Sequence, residues 1–332
     1  MLNRTYIFLQ FVFSMLVLTT ADFAQSNSIP RDTSFTIKET VLKVTAQFPY
    51  ARLVDSRVPE SVKQIKNIVY TSYGKRNLHL DLFMPKRNTK AVPAVVIIHG
   101  GGWRSGERTM EWPTAIFLAK QGYIAATVEY RLSPEAKFPA AVYDIKSAIS
   151  WLRQYAEEYN IDKEKIAISG CSSGGELAVF IGVTNSDKKF EYGKKNSNFS
   201  SEVQAIIDVD GILDFTDPAE SGKDTIASKP SAGKAWLGES YKQNPNIWIE
   251  ASPIHHVNKN CPPICFINSS LTRFHTGRDS MVTVLNKYGV FSETHTISNT
   301  PHPFWLFHPW FEKTTDIMKI FLEKIFGNKR EI

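Results

Sequence analysis

From about residue 65 onward the chain alternates short apolar runs with longer segments whose apolar residues recur every three or four positions. That alternation predicts strands and helices in turn, the pattern of a wound α/β sheet. Residues 68–71 and 78–83 have period-two character around Tyr73-Gly74-Lys75-Arg76, which predicts a hairpin. The runs at 93–98, 123–128, 165–169, 203–208 and 263–267 are more continuously apolar, as expected of strands buried on both faces. An eighth strand is expected at 293–297. The clearest helical stretch covers 140–159, where Val142, Ile145, Ile149, Leu152 and Tyr155 form one apolar face, and a last helix is expected over about 310–326. Two segments break the alternation. Residues 25–60 read as an irregular N-terminal extension to a main domain at 61–328. Residues 212–260, rich in Trp, Pro, Ser and Lys, are long for a connection and read as a helical cap insertion of the kind that shapes a substrate mouth.

The first residues follow a different pattern. Arg4 precedes an apolar run at 6–18, and small residues follow near Ala21 and Ala24, which predicts a signal peptide over 1–24. The run is shorter than the roughly 20 residues a spanning helix needs, so export to the periplasm or the exterior is expected, with no membrane anchor after cleavage. The first cysteine is Cys171, so no lipid-bearing cysteine follows that run. Cys171, Cys261 and Cys265 cannot build a disulfide framework, and Pro262-Pro263-Ile264 between the last two reads as the start of a strand rather than a bridged turn. Stability must therefore come from a core, which a chain of this length can bury. The formal charge of +6 is compatible with an acidic substrate such as a uronic-acid polymer. Lys188, Lys189, Lys194 and Lys195 are interleaved with Asn, Ser and Gly and read as a solvated loop; no nucleic-acid motif accompanies them.

The chemistry concentrates after three of the strands. The fifth runs into Gly170-Cys171-Ser172-Ser173-Gly174-Gly175 and then a helical segment, a G-x-S-x-G pattern in the strand–turn–helix setting that exposes a nucleophile. Ser172 is the candidate nucleophile. His99-Gly100-Gly101-Gly102-Trp103 follows the third strand, where glycines let backbone N–H groups approach a substrate carbonyl. Gly101, Gly102 and Ser173 are the candidate oxyanion donors, and His99 reads as a structural residue of the loop. His302, in Thr300-Pro301-His302-Pro303-Phe304, lies between the eighth strand and the last helix, where a general base is expected. His295 lies within a strand, and His308 is a candidate lining residue of the pocket.

These stretches, with Tyr130-Arg131-Leu132-Ser133-Pro134-Glu135, Phe138-Pro139-Ala140-Ala141 and Trp236-Leu237-Gly238, resemble the α/β-hydrolase superfamily, in its hormone-sensitive-lipase-like and bacterial carbohydrate-esterase branch. The resemblance covers roughly residues 65–325. It implies an eight-stranded, mostly parallel sheet flanked by helices, with a small cap, and a serine carboxylic-ester hydrolase needing neither metal nor cofactor. The segments 274–279 and 301–310 are similar to a secreted bacterial subgroup linked to plant-polysaccharide esters. A carbohydrate ester is thus the expected partner, methyl-esterified or acetylated pectin first. The alternatives are a general carboxylesterase, an acetyl-xylan or feruloyl esterase, and a non-catalytic binder on the same scaffold.

The triad acid departs from that pattern. Most of the branch carries Asp after the seventh strand, where this chain has Asn268-Ser269-Ser270-Leu271-Thr272. One substitute is Asp210 in Asp208-Val209-Asp210-Gly211, at the end of the sixth strand; of the two aspartates there, Asp210 is the better placed. Asp279 is the alternative, reached by a folded-back loop, and Asp214 is a weaker choice. Without an acid in it, the loop after the seventh strand is free for another task, and Trp103, Arg273 and His275 are candidate substrate-binding residues. A guanidinium there can hold a uronate carboxylate in bidentate fashion, and an arginine bracing the loop is an equal alternative.

Overall fold

The computed structural model describes residues 32–87, 89–185, 187–191, 198–222 and 230–327. The expected signal peptide at 1–24 lies outside the described residues. Eight strands form one sheet: β1 (Val62–Tyr73), β2 (Arg76–Pro85), β3 (Val92–Ile98), β4 (Ile124–Val128), β5 (Ile161–Cys171), β6 (Ala205–Val209), β7 (Ile264–Asn268) and β8 (Ser292–Thr296). Their order in the sheet is β1-β2-β4-β3-β5-β6-β7-β8. The β1–β2 and β2–β4 pairings are antiparallel and every later pairing is parallel. Each predicted strand is present within a few residues of its expected span.

Both faces of the sheet are covered, which is why the central strands are apolar at successive positions. Val96 and Ile98 enter one core cluster, while Val95 and Ile97 enter the other on the opposite face. Each such side chain contributes about 1.5–3 kcal/mol by leaving water. The register sets up the site: Ile98 pairs with Gly170, Cys171 with Val209, and Val209 with Ile267. The loops that carry the candidate residues therefore leave the same end of neighbouring strands.

Over its described residues, 32–60, the extension is less irregular than expected. A helix occupies Ile37–Gln47, capped by Thr36, whose hydroxyl accepts from the Glu39 N–H at 3.2 Å. Ile37, Val41, Val44 and Phe48 recur at helical spacing and pack on the core. Arg52–Leu53 then pairs antiparallel with Phe307–His308, a few residues beyond His302. The Phe35 N–H donates to Ser105 Oγ at 2.9 Å, tying the extension to the glycine-rich loop.

The insertion between β6 and β7 is helical, with segments at Pro218–Ser221, Ala232–Leu237 and Pro245–Ala251. Aromatic packing seats it on the sheet. Trp236 stacks on Trp103 at 4.8 Å between centroids, and Phe215 meets both rings edge-on or tilted. Trp236 and Trp248 are almost wholly buried, so they fill the core and offer no face to a sugar.

Candidate active site

Ser172 sits at the tip of the turn between β5 and the helix Ser173–Val183, with φ 56° and ψ −121°. A residue with a side chain in that region carries strain of about 1–3 kcal/mol. The turn is sharp enough that a Cβ on Gly170 would lie 2.0 Å from the Gly174 carbonyl oxygen, and one on Gly174 would lie 2.2 Å from that of Ile98. The small flanking residues are therefore a steric requirement. The Ser172 N–H donates to the Val209 carbonyl at 2.7 Å, which holds the tip against the end of β6.

His302 lies with Nε2 2.8 Å from Ser172 Oγ and Nδ1 2.9 Å from Asp210 Oδ2. Its ring is clamped, stacked on Phe274 at 3.6 Å and 4° and meeting Trp305 edge-on at 5.2 Å. Asp210 is fully buried, and its Oδ1 accepts from the Ser269 N–H at 2.7 Å. The carboxylate is thus held at both oxygens, and it is the one aimed at the imidazole.

Of the three candidate acids, Asp210 is the one in contact with His302, for a reason that strand alternation did not reveal. β6 ends at Val209, and Asp210 adopts φ 55°, which turns its side chain toward His302. Asp and Asn tolerate this conformation better than most residues. Ser269, in the loop after β7 where an acid was expected, donates its backbone N–H to Asp210. Asp279 is displaced from the site: its side chain is 80% exposed and pairs with Arg278 at 2.8 Å. Asp214 accepts from the N–H and hydroxyl of Thr216 and serves a local turn.

Asp208 shows how two neighbouring carboxyls take different states. Burial pushes it up to about 8, and the nearby Asp210 charge adds to the rise, against an opposing hydrogen bond from the Gly211 N–H. A neutral Asp208 spares Asp210 a like charge two residues away. Glu111, behind the elbow, is also buried and is pushed up to about 8 by desolvation; the Cys171 thiol donates to it at 3.7 Å. The folded protein then retains a Glu111 proton that the unfolded chain releases above its ordinary 4.5. This group's contribution worsens as pH rises from about 4.5 to about 8, by about 1.4 kcal/mol per unit, and is level outside that window. Glu111→Gln should therefore gain in Tm relative to the parent between pH 5 and pH 8. An unchanged difference in thermal unfolding across that range would refute the assignment.

Gly101 and Gly102 have φ 130° and 60°, and Gly102 and Ser173 line a cavity of about 150 Å³ at Ser172. Among the described residues, the N–H groups of Gly101, Gly102 and Ser173 donate to no protein acceptor. Ser173 begins its helix, where backbone N–H groups are free and the dipole favours negative charge. The cavity is completed by Trp103, Asp210, Ile212, Ala232, Arg273, Phe274 and His302. A nucleophile with its base in contact, an oriented imidazole and free donors beside a small cavity can carry out acyl transfer through a serine.

The remaining candidates divide. Trp103 reaches the cavity but is only 5% exposed; its Nε1 donates to the buried Glu176 at 2.9 Å, so its chief work is joining cap to elbow. Arg273 lines the cavity with its guanidinium already engaged, Nε to Glu220 at 2.8 Å and Nη2 to the same carboxylate at 3.2 Å. His275 is no cavity-lining residue: its Nε2 bonds the Ser269 carbonyl at 2.9 Å and braces the loop. His308 pairs with Glu312, away from the cavity, and His99 stacks on Tyr130 and bonds the Gly100 carbonyl. Sequence reading missed Phe274 and Glu220. The stack on His302 joins residues 28 positions apart, and Glu220 gives no motif at all.

Residues 80–284, more than half of the chain, match the BD-FAE family model. The chain belongs to the BD-FAE family. Among curated relatives, Esterase LipC of Mycobacterium tuberculosis is 28% identical over 55% of this chain and 45% of its own length. The probable carboxylic ester hydrolase LipM of the same organism is 29% identical over 71% of this chain and 52% of its own. The chain thus spans about half the length of these relatives. Among solved structures, a truncated carbohydrate esterase from gut microbiota aligns with a TM-score of 0.67 at 27% identity, covering 79% of this chain and 96% of its own. The family membership and the eight-stranded sheet agree with the α/β-hydrolase resemblance read from the elbow and the glycine loop.

Proposed function

We propose that this BD-FAE family protein is an exported serine esterase that removes small ester groups, O-acetyl first, from plant cell-wall polysaccharide, with pectin the leading polymer. The observation that carries the esterase reading is the unbroken chain Asp210–His302–Ser172, with contacts of 2.9 and 2.8 Å. Ser172 attacks the ester carbonyl as His302 Nε2 takes its proton, and Asp210 holds the Nδ1–H and stabilises the imidazolium. The oxyanion rests on the N–H groups of Gly101, Gly102 and Ser173, where each donor lowers the barrier by about 3 kcal/mol. His302 then protonates the leaving alcohol, and water hydrolyses the acyl-enzyme by the same route.

The small cavity supports a small ester group, and Glu220 leaves Arg273 no free guanidinium for a uronate carboxylate. With that carboxylate on Arg273, the rim presents a neutralised pair, and a second carboxylate would have to displace the first. The neighbouring carbohydrate esterase supports a sugar ester, whereas the curated relatives' names support a second reading, a general carboxylesterase. The test incubates the mature protein, with Ser172→Ala as control, on acetylated and methyl-esterified pectin, assaying acetate and methanol separately. Acetate alone is the expected product. Methanol alone would make it a methylesterase, and turnover confined to p-nitrophenyl acetate would favour the second reading. Because Glu220 already holds Arg273, Arg273→Ala should change KM on the polymer and on p-nitrophenyl acetate alike, within a few-fold; a rise confined to the polymer would show that the guanidinium leaves Glu220 for a substrate carboxylate.

A further inference from the structure

At the far edge of the sheet lies a second group of chemically capable side chains. Cys265 on β7 is the register partner of Glu293 on β8, and Ile267 is that of His295. Side chains two apart on a strand share a face, so Cys265, Glu293 and His295 project together. One donor atom from each, a sulfur, a carboxylate oxygen and an imidazole nitrogen, lies within 4.8 Å of the others. His295 Nε2 is buried and without a hydrogen-bond partner among the described residues, 3.4 Å from Glu293 Oε1. That nitrogen is aimed into the group, where it faces Glu293 as an ion-pair contact without a hydrogen bond.

We infer that Cys265, Glu293 and His295 form a binding site for zinc or a similar thiolate-accepting divalent cation, separate from the ester-hydrolysing centre. The donor set decides the class: a thiolate with an imidazole and a carboxylate suits zinc, whereas magnesium and calcium select oxygen ligands. Zinc holds sulfur at about 2.3 Å and nitrogen or oxygen at about 2.0–2.2 Å, so neighbouring donors on a tetrahedron lie roughly 3.5 Å apart. To hold a cation, Glu293 and His295, which are only partly buried, would rotate to that spacing while Cys265 stays fixed in the core. Water completes the fourth position. On binding, the Cys265 thiol proton leaves to solvent and sulfur, oxygen and nitrogen each donate a lone pair; nothing is oxidised or reduced.

Lys324 is the resident competitor. Its ammonium lies 3.0 Å from Glu293 Oε2 and above the Phe291 ring, but the side chain is 52% exposed and free to swing out. A cation in its place would join β8, the edge strand, to β7 through side chains as well as the backbone ladder. The site is structural and takes no step in ester hydrolysis.

The test titrates chelator-treated protein with zinc chloride, following thermal unfolding, and with cobalt chloride, following absorbance. Zinc at a hundredfold excess over Kd should raise Tm by about 5 °C. Cobalt should give a near-ultraviolet thiolate charge-transfer band that Cys265→Ser removes. His295→Asn should weaken zinc by more than the roughly 10–100-fold that loss of a mere outer partner costs. Lys324→Gln, a surface change, should tighten zinc, which keeps the proposal exposed even if Cys265→Ser or His295→Asn does not fold. No rise in Tm in the parent, an equal rise in His295→Asn, or no effect of Lys324→Gln would overturn it.

Discussion

Ser172→Ala should lower kcat on p-nitrophenyl acetate by about 10⁶-fold, the scale on which loss of a triad nucleophile acts. The change deletes one hydroxyl and little else. The backbone at 172 already bears φ 56°, which alanine must adopt at much the same cost as serine, and the N–H bond to Val209 survives. A folded, inactive variant is therefore expected, with Tm close to that of the parent. What remains above water should come from the oxyanion donors and binding, roughly 10³–10⁴-fold. Fluorophosphonate labelling gives the complementary readout: the parent should gain one adduct, mapped to Ser172, and the variant none. A variant within tenfold of the parent rate would move the nucleophile elsewhere. A parent that does not label would favour the non-catalytic binder.

The parts of this protein that were legible in its sequence are those governed by local rules. Buried parallel strands must be apolar at successive positions, so β3 to β7 could be read from their runs. The elbow could be read because steric closure at Gly170 and Gly174 leaves so few residue choices. His302 was legible from its place between the last strand and the last helix. Features that depend on long-range contact were not. The helix Ile37–Gln47 has an apolar repeat, but its polar and charged positions and the irregular residues around it hide it in the sequence. The pairing of Arg273 with Glu220 joins a loop to an inserted cap 53 positions away, and no local pattern announces it. His275 carried a chemically suggestive side chain whose partner, the Ser269 carbonyl, only the folded loop supplies. The candidate acids lay between these cases: they could be enumerated, but only the fold, through the φ of 55° at Asp210, puts one of them against His302.

That choice makes the second large effect. Asp210→Asn should lower kcat about 10⁴-fold, the loss seen when a triad carboxylate is replaced by its amide, while Asp279→Asn should stay within twofold. Asparagine keeps the shape and tolerates φ 55° as aspartate does, so the fold and the contact with the Ser269 N–H can persist through its carbonyl oxygen. The other end of the amide then offers N–H groups to His302 Nδ1, which must accept rather than donate. The imidazole is driven into the tautomer that carries its proton on Nε2, facing Ser172 Oγ across 2.8 Å, where a base must be empty. Loss of the charge also withdraws the stabilisation of the imidazolium. Asp208 offers no rescue, because its Oδ1 is committed to the Gly211 N–H and its carboxyl is wholly buried. Steady-state kinetics on the two variants, with thermal unfolding to confirm both are folded, separates the assignments. A large loss in Asp279→Asn with Asp210→Asn unaffected would mean that the loop after β7 closes over the site in solution and supplies the acid from its far end.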